Sequence, residues 1–276
     1  MPLVSVIIPT FNRVQPLIRA VASVLGQSWS NLEIIVVDDG STDNSAELLH
    51  KRFGSGIRLL RLPRNRGVSY ARNRGIELSR GSFIAFLDSD DLWQPGKIER
   101  QLAFMQAEPD ILISQTDETW IRNGRRVNPC KHHQKPSGLI FAECLPLCVV
   151  SPSAVMMRRR FFAQIGHFDE TLPACEDYDL WLRTACRYPI PLLAEKLVIK
   201  YGGHEDQLSR TIPALDFYRI RSLIKIISSG ILTPSQKILA LGTLKPKSKI
   251  YLKGCRKRGR IEEADALEQL IEKLTD

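Results

Sequence analysis

The sequence predicts an α/β fold: a mainly parallel, Rossmann-like sheet flanked by helices, with a helical C-terminal extension. Two observations carry this. Short apolar runs alternate with stretches whose apolar residues recur at helical spacing, and after Pro213 the helical spacing continues without another strand. Strands alternating with helices build parallel sheets covered on both faces. Residues 1–105 and 106–212 read as two halves of one domain, and 213–276 as the extension.

Leu3 to Ile8 forms the first strand and ends in Pro9, Thr10, Phe11, Asn12 and Arg13. Leu17, Ile18, Val21 and Val24 then mark a helix. The second strand, Leu32 to Val37, ends in Asp38, Asp39, Gly40, Ser41, Thr42 and Asp43. Asp43 suits a cap for the helix through Ala46 and Leu49; Asp38 and Asp39 are not needed for that role. The third strand, Ile57 to Leu62, leads through Arg64, Asn65, Arg66 and Gly67 into a helix carrying Arg72, Asn73 and Arg74. A glycine there permits close backbone approach at a helix start, where phosphate binds well.

The fourth apolar run, Phe83 to Leu87, stops abruptly in Asp88, Asp90 and Asp91. Three neighbouring carboxylates cannot enter a core unpaired. They must face water, basic groups or a cation. Asp88 and Asp90 are two residues apart and share a face on an extended backbone. That spacing suits a hard divalent cation with oxygen ligands, Mn²⁺ or Mg²⁺. The plainer alternative is a solvated acidic turn capping the helix after Pro95.

The 276 residues are 43% hydrophobic and 25% charged, ordinary for a globular chain, and the net charge of +9 points to acidic partners. No nucleic-acid-binding module is recognisable, so nucleic acid is not expected among them. The six cysteines form no CxxC pair and lack zinc-ligand spacing. With no signal peptide, a reducing, cytoplasmic compartment is expected. No apolar run approaches the ~20 residues a membrane span needs. Neither GxGxxG nor GxxxxGK[ST] occurs.

Further on, Ile111 to Ile121 suggests strands, with a hairpin turn at Arg122–Arg125. The tract Arg125, Arg126, Lys131, His132, His133 and Lys135 reads either as an acceptor-side lid attracting negative charge or as a solvated charge run. Ala154 to Met157 and Leu192 to Tyr201 read as late strands. Between them Glu176, Asp177 and Asp179 open a helix, where acid suits the helix dipole. Residues 245–260 carry many lysines and arginines without one acid, and 262–276 turn acidic. With Tyr251 and Leu252 this stretch reads as an amphipathic basic surface for anionic lipid heads, or as a hairpin neutralised by the acidic tail.

Four segments together carry a family resemblance: Val4–Arg13 (Val-Ser-Val-Ile-Ile-Pro-Thr-Phe-Asn-Arg), Ile35–Asp43, Asn65–Gly75, and Phe86–Trp93 (Phe-Leu-Asp-Ser-Asp-Asp-Leu-Trp). Their order resembles glycosyltransferase family 2, the inverting nucleotide-sugar transferases with the GT-A fold. The likeness is close over residues 3–105 and looser to about 210.

The resemblance implies a sugar transfer from a nucleoside diphosphate sugar, UDP-linked by expectation, to an acceptor hydroxyl in surface-polysaccharide or glycolipid assembly. It makes residues 1–105 the nucleotide-sugar-binding half and 106–212 the acceptor-binding half. Asp39 would contact the base, with Thr10, Asn12 and Arg13 in the same pocket. Asn65, Arg72 and Asn73 would support the nucleotide, Asp88 would face the ribose or the metal, and Asp90 would bind the metal. His204 would join the metal or diphosphate. Glu176 would line the substrate site and Asp177 would be the general base, with Asp179 as its rival. The partners implied are the donor and a glycan or lipid-linked acceptor; the basic C-terminal stretch adds an expected peripheral contact with the anionic inner face of the cell membrane. The alternative reading is a non-catalytic nucleotide-sugar-binding module, which has no need of the Glu176–Asp177 pair. A haloacid-dehalogenase-type phosphatase would leave Asp38 and Asp39 unexplained, and the glycine-rich opening of a nucleotidyltransferase is missing.

Overall fold

The computed structural model describes residues 1–128, 134–203 and 212–275. Its first half is β1 (Val4–Thr10), α1 (Val14–Leu25), β2 (Leu32–Asp38), α2 (Ser45–Phe53), β3 (Arg58–Arg61), α3 (Val68–Leu78) and β4 (Phe83–Phe86). Next come β5 (Leu92–Trp93), α4 (Lys97–Ala107), β6 (Ile113–Arg122), β7 (Arg125–Val127), the short α5 (Phe141–Cys144), β8 (Val155–Arg158), α6 (Arg160–Ile165), α7 (Glu176–Ala185) and β9 (Leu192–Gly202). Three helices close the chain: α8 (Leu215–Ser228), α9 (Pro234–Lys257) and α10 (Ile261–Thr275).

One sheet runs in the order β3-β2-β1-β4-β8-β6-β9-β5, with β7 added to β6. The first four strands are parallel, as their strand–helix alternation predicts. Past β4 the sheet becomes mixed: β8 is antiparallel to β4 and to β6, whereas β9 runs parallel to β6. The hairpin read at Arg122–Arg125 is present. Asn123 and Gly124 both have positive φ, 50° and 72°, the pair that a tight two-residue turn requires.

Alternation along the strands divides the core in two. Val4, Val6 and Ile8 of β1 face α1 and α4, with Val36, Ala85 and Leu102 in the same cluster. Ile7 faces the other way, onto α3, in a cluster that continues through Trp181 to Ile220, Leu244 and Leu267. The C-terminal helices therefore share a core with the sheet. The approach of α3 to β1 is close: a Cβ at Gly75 would lie 2.3 Å from Ile7 Cγ2.

This topology gathers the C-terminal ends of β1, β2 and β4 on one rim. Such a rim is where open α/β sheets bind ligands. The first turn of α7 reaches the same rim from a hundred residues further along.

Candidate active site

The rim is built from backbone turns that its own side chains hold. At the end of β1, Asn12 takes a left-handed conformation (φ 51°). Its Oδ1 accepts from Thr42 N at 2.8 Å, and its own N–H donates to Ser41 Oγ at 2.8 Å. Asn12 thus ties β1 to the loop after β2. Within that loop Gly40 has φ 78°, and a Cβ there would meet the Arg64 backbone at 2.5 Å. Only glycine lets the loops after β2 and β3 pass so closely. Beside them lies a cavity of about 470 Å³ lined by Gly40, Ser41, Thr42, Arg61, Leu62 and Pro63.

Asp39 is buried, and its two oxygens accept from Arg66 N (2.9 Å) and Gly67 N (2.8 Å) at the start of α3. Burial pushes its carboxyl up, although those N–H groups oppose this. Thr10 is buried beneath the same rim, and among the described residues its hydroxyl has no hydrogen-bond partner. Asn65 is exposed on the loop leading to α3.

The acidic turn after β4 divides its three carboxylates. Asp91 points inward and is buried, accepting from Ser153 Oγ at 2.7 Å and from Tyr201 N at 3.0 Å. Asp88 and Asp90 stay partly exposed, with side chains 28% and 19% accessible. Each meets an arginine: Arg13 bonds Asp90 Oδ2 at 2.7 Å, and Arg72 bonds Asp88 Oδ1 at 2.7 Å. A second cavity of about 270 Å³ opens beside them, with Arg13, Arg19, Asp90 and Tyr201 in its wall.

Arg72 is the keystone of the site. Its other terminal nitrogen bonds Glu176 Oε1 at 2.5 Å, so one buried guanidinium joins the turn after β4 to the first turn of α7. Burial works against its charge, but Asp88 and Glu176 more than offset this and raise its pKa. Asn73, one residue on, clasps the segment ahead of α7: its amide donates to Phe168 O and Glu170, and its Oδ1 accepts from Phe168 N. Just before Glu176, Cys175 adopts a left-handed backbone (φ 60°), which costs roughly 1–3 kcal/mol for a non-glycine residue.

Asp177 is half-buried. Its Oδ1 accepts from Tyr178 N at 2.7 Å, and the Cys148 thiol lies 3.3 Å from Oδ2. Its charge acts on Arg72, Glu176 and Lys200. Asp179, its rival in the sequence, is 2% exposed and paired with Arg183 at 2.8 Å and Lys225 at 3.1 Å. Those cations fix it as a brace between α7 and α8. His204 lies outside the described residues, as do His132 and His133.

The family is decided by a sequence match over residues 5–166, described as glycosyl transferase family 2. The chain belongs to this family. The matched span ends ahead of Glu176 and Asp177. The fold is GT-A: Staphylococcus aureus TarS (residues 1–349, with UDP-GlcNAc) superposes with a TM-score of 0.71 at 20% identity, over 88% of this chain and 70% of that one. A Pyrobaculum calidifontis mannosyltransferase, PcManGT, in complex with GDP-Man and Mn²⁺, superposes at 0.61 with 17% identity, over 97% and 79%. In sequence, the Escherichia coli UDP-Glc:alpha-D-GlcNAc-diphosphoundecaprenol beta-1,3-glucosyltransferase WfaP is 32% identical over 184 residues, 66% of this chain and 70% of WfaP. The chain spans about a third of the length of the curated relatives from Rickettsia bellii, Rickettsia felis and Rickettsia conorii.

For a glycosyl transferase family 2 chain, the donor set of the acidic turn fits a hard divalent cation. Asp88 and Asp90 offer carboxylate oxygens near the surface, whereas Asp91 is committed to the interior. Among the described residues no cluster of three or more potential ligands forms.

Three residues escaped the sequence reading. Ser153 donates to Asp91 Oδ2 and accepts from Asp88 N at 3.1 Å, which fixes the acidic turn. Lys200 donates to Ser151 Oγ at 3.1 Å amid the charges of Glu118, Asp91, Asp88 and Asp177. Cys148 touches Asp177. Only Lys200 left a signal, since it too stands near a strand end. The basic tract also divides. Lys135, read as part of a lid or a solvated run, forms a buried ion pair with Glu118 at 3.2 Å.

Glu176 gives this site a pH signature. Burial, with Asp177 beside it, pushes its carboxyl up to about 7 from an ordinary 4.5. Across that window the folded chain holds a proton that the unfolded chain has released. This group's stabilising contribution is full below about 4.5 and is lost as the pH rises through about 7. Glu176→Gln is expected to flatten that part of the stability profile, read by equilibrium unfolding at a series of pH values.

Proposed function

We propose that the protein moves a sugar from a nucleoside diphosphate sugar to an acceptor hydroxyl with inversion, using Asp177 as the general base. The observation that carries this reading is the Arg72 bridge. It brings Asp88, on the turn that would face the diphosphate, within one guanidinium of Glu176, and so brings Asp177 to the same crevice. Inversion needs a base across the sugar ring from the leaving group, and two acidic stations from opposite halves of the chain suit that need. The pairing of Asp179 with two cations leaves Asp177 as the better base.

The nucleoside would lie against the ends of β1, β2 and β3, beside the cavity at Gly40–Thr42, with Asp39, Asn65, Thr10 and Asn12 shaping its floor and walls. Arg13, which holds Asp90, would meet phosphate charge, and the buried Arg72 would act through the Asp88 and Glu176 it holds. Asn73 would act through the segment it clasps. Asp90, with Asp88, would hold a divalent cation, whose charge, when bound, stabilises the departing diphosphate. Asp177 takes the acceptor proton late in the step, because a sugar hydroxyl is a poor acid. A uridine-linked donor and a lipid-linked saccharide acceptor are proposed from the likeness to WfaP and TarS. Among the described residues no helix is long and apolar enough to cross a membrane.

The deciding experiment incubates the protein with Mn²⁺ and a panel of nucleotide sugars and measures nucleoside diphosphate release. Slow release from UDP-sugars is expected, with loss of the cation-dependent part in Asp90→Ala. Donor binding by calorimetry without turnover under any acceptor condition would favour the binding-module reading instead.

A further inference from the structure

We propose that the outward face of α9 docks the protein on an anionic lipid bilayer. The helix is firmly started: Thr233 and Gln236 form a reciprocal capping box, with Pro234 opening the first turn. Its inner face is buried through Ala240, Leu244, Ser248, Tyr251, Leu252 and Cys255. Tyr251 and Leu252 therefore turn into the core and form no part of a lipid-facing surface, contrary to the sequence expectation.

The outer face carries Lys245, Lys249, Lys253 and Lys257, all exposed and four residues apart. At 1.5 Å per residue this row runs for roughly 18 Å. Ile238 and Ile250 are 70% and 73% exposed. Each stands seven residues, close to two turns, ahead of a lysine of the row, Lys245 and Lys257. Aliphatic and basic groups thus share one face.

The acidic tail neutralises part of this basic stretch but not the lysine row. Asp265 and Glu268 of α10 pair with Arg256 of α9, and Glu263 pairs with Arg260, as the hairpin reading expects for these two arginines. Lys247 pairs with Asp216 of α8. Among the described residues none of the four row lysines has an ion pair, and α9 contains no acid. Like charges at this spacing repel along a helix. A second copy of the same face would add repulsion. A polyanion such as nucleic acid would neutralise the lysines but offer nothing to Ile238 and Ile250. An anionic bilayer serves both, with phosphates for the row and acyl chains for the isoleucines.

The test is co-sedimentation of the whole protein with phosphatidylglycerol-rich vesicles and with pure phosphatidylcholine vesicles, without donor or acceptor. Binding to the anionic vesicles alone, weakened by salt, is expected. Each lysine near the surface contributes roughly fivefold in partitioning, so Lys249→Gln with Lys253→Gln should lose about 25-fold. Ile238→Ser with Ile250→Ser should weaken binding further at raised salt. All four side chains are exposed, so circular dichroism and the unfolding midpoint should not move. Absence of binding at low salt overturns the proposal. So does binding that ignores the isoleucine changes while single-stranded DNA competes for the lysines. Because no sugar transfer is measured, either result leaves the glycosyl-transfer reading standing or falling on its own assay.

Discussion

Asp177→Asn is expected to lower sugar transfer by roughly 10²- to 10⁴-fold, the range that removal of a general base produces, while nucleoside diphosphate binding stays unchanged. The substitution keeps the shape of the side chain. Its oxygen can still accept from Tyr178 N, and its amide N–H can donate to the Cys148 sulfur in place of the bond that the thiol donates to Asp177 Oδ2. What it removes is proton affinity. Asp179→Asn separates the two acids of the turn. It strips a buried carboxylate from Arg183 and Lys225, so its effect should fall on unfolding free energy rather than on the chemical step. Loss of donor binding in Asp177→Asn, or a collapse of turnover confined to Asp179→Asn, would reverse the assignment.

The parallel half of the fold was legible because each strand is a short apolar run closed by polar residues. That local pattern placed β1, β2, β3 and β4 to within a residue or two at most of their ends, and it put Asp39, Asp88 and Asp90 on one rim. The return of the chain was less legible. Nothing local in Ile113–Arg122 or Leu192–Gly202 says that β6 and β9 will pair parallel with each other, or that β5 will close the edge. Ser153 and Lys200 depend on that pairing, so they stayed hidden although they border Asp88 and Asp91. Lys97 is a sharper case. It lies in the first turn of α4 and is fully buried against the Trp93 ring, with its ammonium 3.9 Å from the ring centroid. Burial with so little compensating charge pushes its pKa well down. Asp91 carries no site role in the sequence reading, and the fold shows that it is the acid that turns inward.

Arg72→Met should destabilise the protein by about 3–5 kcal/mol, the cost typical of removing one partner from a buried ion pair. Two carboxylates lose their counter-charge at once. Glu176 is buried and near Asp177, so it responds first, by keeping its proton to a higher pH than before. Arg72→Lys should rescue little, because a single ammonium cannot present two terminal nitrogens to two acids in the geometry of a guanidinium. The double variant Arg72→Met with Glu176→Gln separates charge from packing. If the cost is the stranded charge, the second change recovers much of the first, and a double-mutant cycle by urea unfolding shows strong coupling. If the two losses simply add, Arg72 acts through its packing on Phe168, whose ring centroid lies 5.1 Å from its guanidinium carbon. Strong coupling would also give the Arg72 bridge its functional meaning, since in the proposed reaction the contact that holds α7 against the acidic turn is the one that would set Asp177 opposite the diphosphate.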